Sequence, residues 1–392
     1  MDKRLSTRFA TFYFLLFVPI GMHAPYLFLY FKRLGFTDSQ LGTLAAVTPL
    51  LNVFLPPVWG ALADALGDRR RTLAFLLLCA AFTFPWFMYL SSFAATLALL
   101  LVFSGFAFSP APIADAIALE NVERKGGDYG RLRLWGSVGF AAPLVAFGAV
   151  LGKGAGESAA SLFPIFIGYA VFRLISVGWV AFLPASYGGQ RGRFDLRAAR
   201  VFGQPNFLAL AICGVLATGA MAGYYVYFTI YLDQLGIADN VKGYFWAIAV
   251  AAETGMMLVI GGVIRRIGLK WTFVLGIAGC AVRLFLFSFP LSAVGIAAAQ
   301  CLHALTFTAL TVSAITFVSR ITPPALRASG QTLWMALTMG LGSAVGSMLA
   351  GVAAGVYGLM GTFRIFAAAA AVATVGAVVF VREVAAAGEP AE

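Results

Sequence analysis

The sequence predicts an all-α membrane protein with twelve transmembrane helices in two pseudo-symmetric six-helix halves. Three observations carry that expectation. Of 392 residues, 61% are hydrophobic and only 11% charged, whereas a soluble globular protein is nearer half apolar and about a quarter charged. Apolar stretches recur at roughly the 20-residue length a helix needs to cross about 30 Å of hydrocarbon. A segment near residue 30 also recurs at a fixed offset in the second half of the chain.

In chain order the expected spans are 9–31, 40–63, 72–91, 94–119, 131–151, 161–184, 205–232, 241–264, 271–289, 292–319, 327–355 and 361–381. The first run is too long for the apolar core of a secretory leader and lacks a cleavage signature, so it reads as span one. Basic residues set the orientation. With the N-terminus cytoplasmic, that side carries 20 Lys and Arg, among them Lys3, Arg4, Arg8, Arg191, Arg193, Arg197 and Arg200. The other side carries 5: Lys32, Arg33, Lys153, Lys242 and Arg364. By the positive-inside rule both termini are expected in the cytoplasm. The net charge of +11 then reflects topology, and nucleic acid is not an expected partner. Cys79, Cys213, Cys280 and Cys301 lie in apolar spans without CxxC spacing, as small buried hydrophobes do. No metal or cofactor is expected.

The stretch 185–204 is the longest polar segment and divides the chain into halves 1–184 and 205–392. The halves repeat. YFKRLGFTDSQLG at 30–42 aligns with YLDQLGIADNVKG at 231–243, an offset of 201, and the same offset maps Gly60 and Gly67 onto Gly261 and Gly268. Parallel six-helix halves related by an axis along the membrane normal are typical of secondary transporters, with the substrate site near the midplane.

Asp115, Glu253, Arg283 and His303 stand inside these apolar runs. A charge at membrane depth costs several kcal/mol unless it faces a partner or a water-filled cavity, which makes each a functional candidate. Pro110 and Pro112 should disturb the helix before Asp115 and free backbone carbonyls there. Glu253 lies about eleven residues from either end of its span. Burial disfavours the charged form of a carboxylate, as suits a proton carrier. Arg283 is its expected partner, and a permanent structural ion pair is the plainer alternative. Asp115 and Arg133 admit the same alternative, with Arg133 close enough to the interface to snorkel. His303 and His23 are either ligands or satisfied core histidines, and Arg173 has no evident partner. Tyr26 and Tyr30 share one helix face, as do Tyr227 and Tyr231 at the repeat-related places.

GALADALGDRRR (Gly60 to Arg71) resembles the signature loop between helices two and three of the major facilitator superfamily. The resemblance implies that Asp64, Arg69, Arg70 and Arg71 lock a cytoplasmic gate, with an acid near a helix end pairing in one state and releasing in the other. A solvated loop is the plainer reading. The second copy carries Arg265 in place of Asp64, so the lock is not symmetric. APIADAIALENVERKGGDYGRLRLWGSVGFA (Ala111 to Ala141) is similar to the matching region of the oligosaccharide/proton symporters, the lactose permease group. That likeness implies substrate binding by Asp115 and Arg133, with Phe140 as the stacking aromatic. Glu253, Arg283 and His303 match an acid, an arginine and a histidine that couple substrate to proton in that group. Two departures stand out: Thr306 replaces the group's proton-carrying glutamate, and His23 its helix-one tyrosine. QCLHALTF, YGRLRLWGS and Asp115 resemble the phenylpropionate permease-like branch of the same clan.

The expected function is therefore secondary transport of a small polar or anionic organic solute (aromatic acid, sugar or nucleoside), coupled to protons and working by alternating access. The setting is the bacterial inner membrane and the protein a monomer. Substrate would be held by Asp115, Arg133, Phe140, Arg283, His303, His23 and Tyr26, and the proton by Glu253 or Asp115. An uncoupled facilitator or drug-type exporter is the alternative that Thr306 favours. No nucleophile–base constellation or phosphate loop supports an intramembrane enzyme or an ATP-driven pump.

Overall fold

The computed structural model describes residues 3–151, 158–186 and 203–384, so nearly all of the expected linker 185–204 lies outside the described residues. Among the described residues every regular element is helical. The helices are α1 (Lys3–His23), α2 (Leu27–Arg33), α3 (Asp38–Ala65), α4 (Arg69–Thr83), α5 (Phe93–Ala107), α6 (Pro110–Lys125) and α7 (Tyr129–Ala146). They continue as α8 (Phe163–Val180), α9 (Pro205–Gln234), α10 (Asp239–Phe287), α11 (Ala293–Cys301), α12 (Leu310–Ile321), α13 (Arg327–Met335) and α14 (Ser343–Phe380).

Ten helical spans are long and apolar enough to cross a membrane. Two of them, Asp239–Phe287 and Arg327–Phe380, run to 49 and 54 residues. At about 1.5 Å rise per residue, each has the length of two crossings. Each also turns at a glycine with left-handed backbone, Gly268 (φ 84°) and Gly358 (φ 69°). Two crossings apiece agree with the twelve expected spans. Large apolar side chains such as Phe54, Leu258, Val294 and Phe380 lie on the exterior, as lipid-facing residues must.

The sequence repeat is also a backbone repeat. Gly35 and Gly236, 201 residues apart, both adopt positive φ (90° and 77°), a conformation that a Cβ would strain. The bonds around them match: Gly35 N–H donates to Lys32 O and Phe36 N–H to Phe31 O, while Gly236 N–H donates to Asp233 O and Ile237 N–H to Leu232 O. Gly67 (φ 75°) and Gly268 pair in the same way. The repeat breaks at the cap that follows. Asp68 caps α4 by accepting from Arg70 N–H at 3.0 Å, but the related residue is Leu269, which has no acceptor. Glu383, after the last helix, supplies the missing carboxylate and accepts from Leu269 and Lys270 N–H, each at 3.0 Å. An acid at orphan helix N–H groups satisfies both hydrogen bonding and the helix dipole.

By contacts the chain forms two compact units. Unit 1 comprises Met1–Phe36, Leu51–Arg191 and Thr229–Tyr244; unit 2 comprises Thr37–Leu50, Gly192–Phe228 and Phe245–Glu392. The units differ from the expected halves by an exchange of two segments that lie at nearly repeat-related places. In unit 1, α1 is central: Phe9, Phe12, Tyr13 and Leu16 pack with Leu73, Leu76, Ile113 and Ile117. Gly139 of α7 lies against the Phe14 backbone and Gly21 of α1 against the Phe140 carbonyl. Small residues let helix backbones touch where lipid gives no hydrophobic drive to association. In unit 2, Gly346 of α14 meets the backbone of Gly219 of α9, and Gly276 of α10 meets Leu310.

A Cβ at Gly139 would collide with the Phe14 carbonyl, whereas one at Gly178 meets no heavy atom within 4 Å. Gly139→Val should therefore cost about 1–3 kcal/mol by overpacking, and Gly178→Ala should be neutral to within about 0.5 kcal/mol. Thermal unfolding of the purified variants checks both; equal melting points would refute the close α1–α7 crossing.

Candidate functional site

In unit 1 the candidate residues meet on α1, α6 and α7. The chain breaks from helix at Phe108 and Ser109, and α6 restarts with Pro110 at its first position, where the missing N–H costs nothing. Asp115 is thereby set on the second turn of α6. Tyr13 Oη donates to Asp115 Oδ1 at 2.7 Å, while Arg133 Nε stands at 3.9 Å from the same oxygen. The tyrosine bond is the tight one; the ion pair is loose, and both charged side chains stay about one-third exposed (35% and 30%). The Arg133 guanidinium lies 4.2 Å from the Phe17 ring centroid, a cation–π arrangement. Gly136 makes that pose possible, since a Cβ there would press on both Arg133 Nη1 and Phe17. The ring under Arg133 is thus Phe17. Phe140, two turns further along α7, is half-buried, with its backbone against Gly21.

The other helix-one candidates are packed inside unit 1. His23 Nδ1 hydrogen-bonds its own helix at Pro19 O (2.8 Å), and its ring meets Phe84 and Tyr169 edge-on. Tyr26 is buried, with Oη 3.4 Å from Asp239 O. Arg173, buried too, donates to Leu16 O at 3.1 Å and faces the Tyr169 ring.

In unit 2, Glu253, Arg283 and His303 do come together, in an order the sequence does not reveal. Arg283 is fully buried. Its Nη1 contacts His303 Nδ1 at 2.9 Å and donates to Thr306 Oγ1 at 3.0 Å. Its Nη2 donates to Tyr224 Oη at 2.8 Å and also to Gln300 Oε1. Tyr224 Oη in turn donates to Gln300 Oε1 at 2.8 Å. All four acceptors are uncharged. A guanidinium only donates, so His303 Nδ1 must be the unprotonated nitrogen, and Nε2 carries the hydrogen. That Nε2 faces Glu253 Oε2 at 3.4 Å. A neutral imidazole therefore stands between the arginine and the acid. A π-helical turn, Ala304–Ala309, follows His303 and contains Thr306, the kind of bulge found at functional sites. Thr308 Oγ1 ties that turn to Glu253 O at 3.2 Å, and Phe307 stacks on His303 at 5.5 Å between centroids.

The signature loop knits unit 1 together at its basic end. Arg69 Nε binds Asp64 Oδ1 at 2.8 Å, and its Nη1 lies 3.5 Å from Glu120 of α6. Arg70 Nη1 donates to Leu183 O at 3.0 Å. Arg71 is largely exposed, at 88%, beside Asp68. Ser186 Oγ donates to Glu120 Oε2.

The fold and these polar clusters define a multi-pass membrane transporter. Residues 6–366 match the family model described as MFS_1 like family; the chain belongs to that family, within the major facilitator superfamily. It is 27% identical over 361 residues to the "Probable 3-phenylpropionic acid transporter" of Escherichia coli (strain K12), covering 88% of this chain and 90% of the relative. It is 24% identical over 352 residues to the maltose permease of Geobacillus stearothermophilus, covering 86% and 85%. Among solved structures, that of the nucleoside transporter NupG superposes with a TM-score of 0.84 at 20% identity, over 97% of this chain and 99% of that one.

Tyr13, Phe17, Gly136, Tyr224, Gln300 and Glu120 are the residues that sequence reasoning did not assign. A polar residue one turn before His303 was the only local signal, at Gln300. Gln300→Leu removes an acceptor from the buried Arg283 and should destabilise the protein by about 1–3 kcal/mol. Tyr13→Phe, at the more exposed Asp115, should cost about 1 kcal/mol or less. Thermal melts in detergent rank the two; the reverse order would contradict this account of which charge is sealed.

Proposed function

We propose that the protein accumulates a small polar or anionic organic solute by proton symport and alternating access. The observation that carries this reading is the Arg283–His303–Glu253 chain. With Nδ1 accepting from Arg283, the imidazole cannot take a second proton without losing that bond. The group left free to load a proton is Glu253, whose side chain keeps 20% exposure. Protonation there removes the negative charge that His303 Nε2–H faces, and so weakens the tie between α10 and the π-turn. Proton occupancy is thereby linked to helix contacts, as coupling requires.

Arg133 and Asp115 supply a donor and an acceptor for the solute, and the Phe17 ring an aromatic wall. Aromatic acid, sugar and nucleoside remain the substrate classes, in keeping with the names of the relatives above. Asp64, Arg69 and Arg70 act as the cytoplasmic lock. The charge asymmetry of the loops supports a reading with both termini in the cytoplasm of a bacterial inner membrane and the monomer as the working unit. An uncoupled facilitator is the second reading. It is favoured by Thr306, which gives Arg283 a hydroxyl where the resembling group has an acid.

In proteoliposomes, Glu253→Gln should abolish gradient-driven accumulation while leaving counterflow within about three-fold, since only the proton-linked step is lost. Full accumulation by that variant would exclude Glu253, and loss of accumulation with counterflow retained in Asp115→Asn alone would move the role to Asp115. Counterflow without accumulation in the unmodified protein would establish the facilitator.

A further inference from the structure

Unit 2 carries a lengthwise groove between the start of α9 and the end of α14. Asn206, near the start of α9, meets Arg382, just past the end of α14, and Cys213 meets Gly376, so the two helices run antiparallel. Leu208 and Ile212 form one wall, Val372 and Val379 the other, and all four are exposed. The floor is low because its residues are small: a Cβ on Gly376 would stand 3.3 Å from Cys213 Sγ. The cavity holds about 650 Å³, within the range of small-ligand sites. From Leu208 to Leu216 it follows α9 for about 12 Å at the helical rise per residue.

Apolar along its walls, the groove ends on Asn206 and Arg382. The strap that follows α14 fixes that end. Asn206 grips it twice: Oδ1 accepts from Arg382 N–H at 2.8 Å and Nδ2 donates to Arg382 O at 3.1 Å. The next carboxylate, Glu383, is held by Leu269 and Lys270 N–H of α10, and Arg320 Nη1 donates to Val384 O at 3.2 Å. Val381 is fully buried. The Arg382 backbone is thus pinned, while its side chain is exposed and makes no hydrogen bond or ion pair with any described residue. With Glu383 committed to α10, a positive charge is left uncompensated at the mouth of an apolar groove.

Any hydrocarbon satisfies the walls, but a guanidinium is satisfied only by an acceptor, and best by a phosphate or carboxylate that takes two of its N–H groups. A ligand complementary to both parts is a linear apolar chain with an anionic head. In a membrane that description fits one abundant molecule, an acidic phospholipid, to which basic side chains near the bilayer surface are drawn. We infer that this groove is a binding site for an anionic phospholipid, with one acyl chain lying between α9 and α14 and the phosphate on Arg382. The site goes beyond the transport reading, since none of its residues belongs to the proposed substrate or proton path.

Native mass spectrometry of the delipidated, detergent-purified protein tests it without any transport assay. Titrated with phosphatidylglycerol, the protein should retain one lipid about five-fold more tightly than it retains phosphatidylethanolamine, the scale of one arginine near an anionic headgroup. Arg382→Gln should weaken phosphatidylglycerol by about the same five-fold and leave phosphatidylethanolamine unchanged. Gly376→Leu, which fills the groove floor, should weaken both lipids. If that variant does not fold, Ala209→Leu on the α9 wall serves in its place. Arg364→Gln, whose guanidinium is bonded to Ser288 O, should change neither. Equal phosphatidylglycerol binding by Arg382→Gln and the unmodified protein, or an equal loss in Arg364→Gln, would overturn the site. So would a dimer that forms without lipid and is broken by the groove-filling variant, which would assign the groove to a second copy of the chain.

Discussion

A charged side chain in hydrocarbon has no water to fall back on, and that constraint organises this molecule more than any apolar contact does. Leucine and phenylalanine can face lipid or protein at similar cost, as the many exposed apolar residues on these helices illustrate. A guanidinium cannot. Where Arg283 is buried, Tyr224, Gln300, Thr306 and His303 are drawn from α9, α11 and the π-turn to meet it. Where Arg33 is buried, two aspartates, a lysine and a serine close around it. The helices are held in register by what their few charges need.

The arginines are satisfied in different ways, and the difference bears on function. Arg33 meets acids, and its cluster is neutral. Arg283 meets only neutral acceptors, so its charge stays uncompensated at contact distance, and the acid that balances it stands one imidazole away. Arg133 lies between these cases, loosely paired with Asp115 and resting on Phe17. A sealed charge holds helices together, whereas a half-open one stays accessible from outside the protein. The same contrast separates Arg69, bound to Asp64 and Glu120, from the exposed Arg71 in the signature loop.

Much of the fold was legible in the sequence because crossing a bilayer is a local requirement. About 20 apolar residues announce a span wherever they occur, and the offset of 201 between 30–42 and 231–243 announces the repeat. The glycines at 35 and 236 then recur with the same backbone turn. The site was only half legible. Asp115, Glu253, Arg283 and His303 stood out as charges in apolar runs, but a sequence does not say who stands between them. Expecting Glu253 beside Arg283 was natural; the placement of His303 between them depends on a π-turn that no residue pattern announced.

The sequence by itself determined the number and length of the crossings, the two-fold repeat and the addresses of the buried charges. Each of these follows from local composition and spacing. Tertiary structure alone decided the partners. Tyr13 lies 102 positions from Asp115 and Arg33 lies 206 from Asp239. Tyr224 is an ordinary aromatic in an apolar run until α9 sets it on Arg283. Hydrogen bonds and ion pairs act over about 3 Å, and such distances between remote residues exist only once the helices have packed.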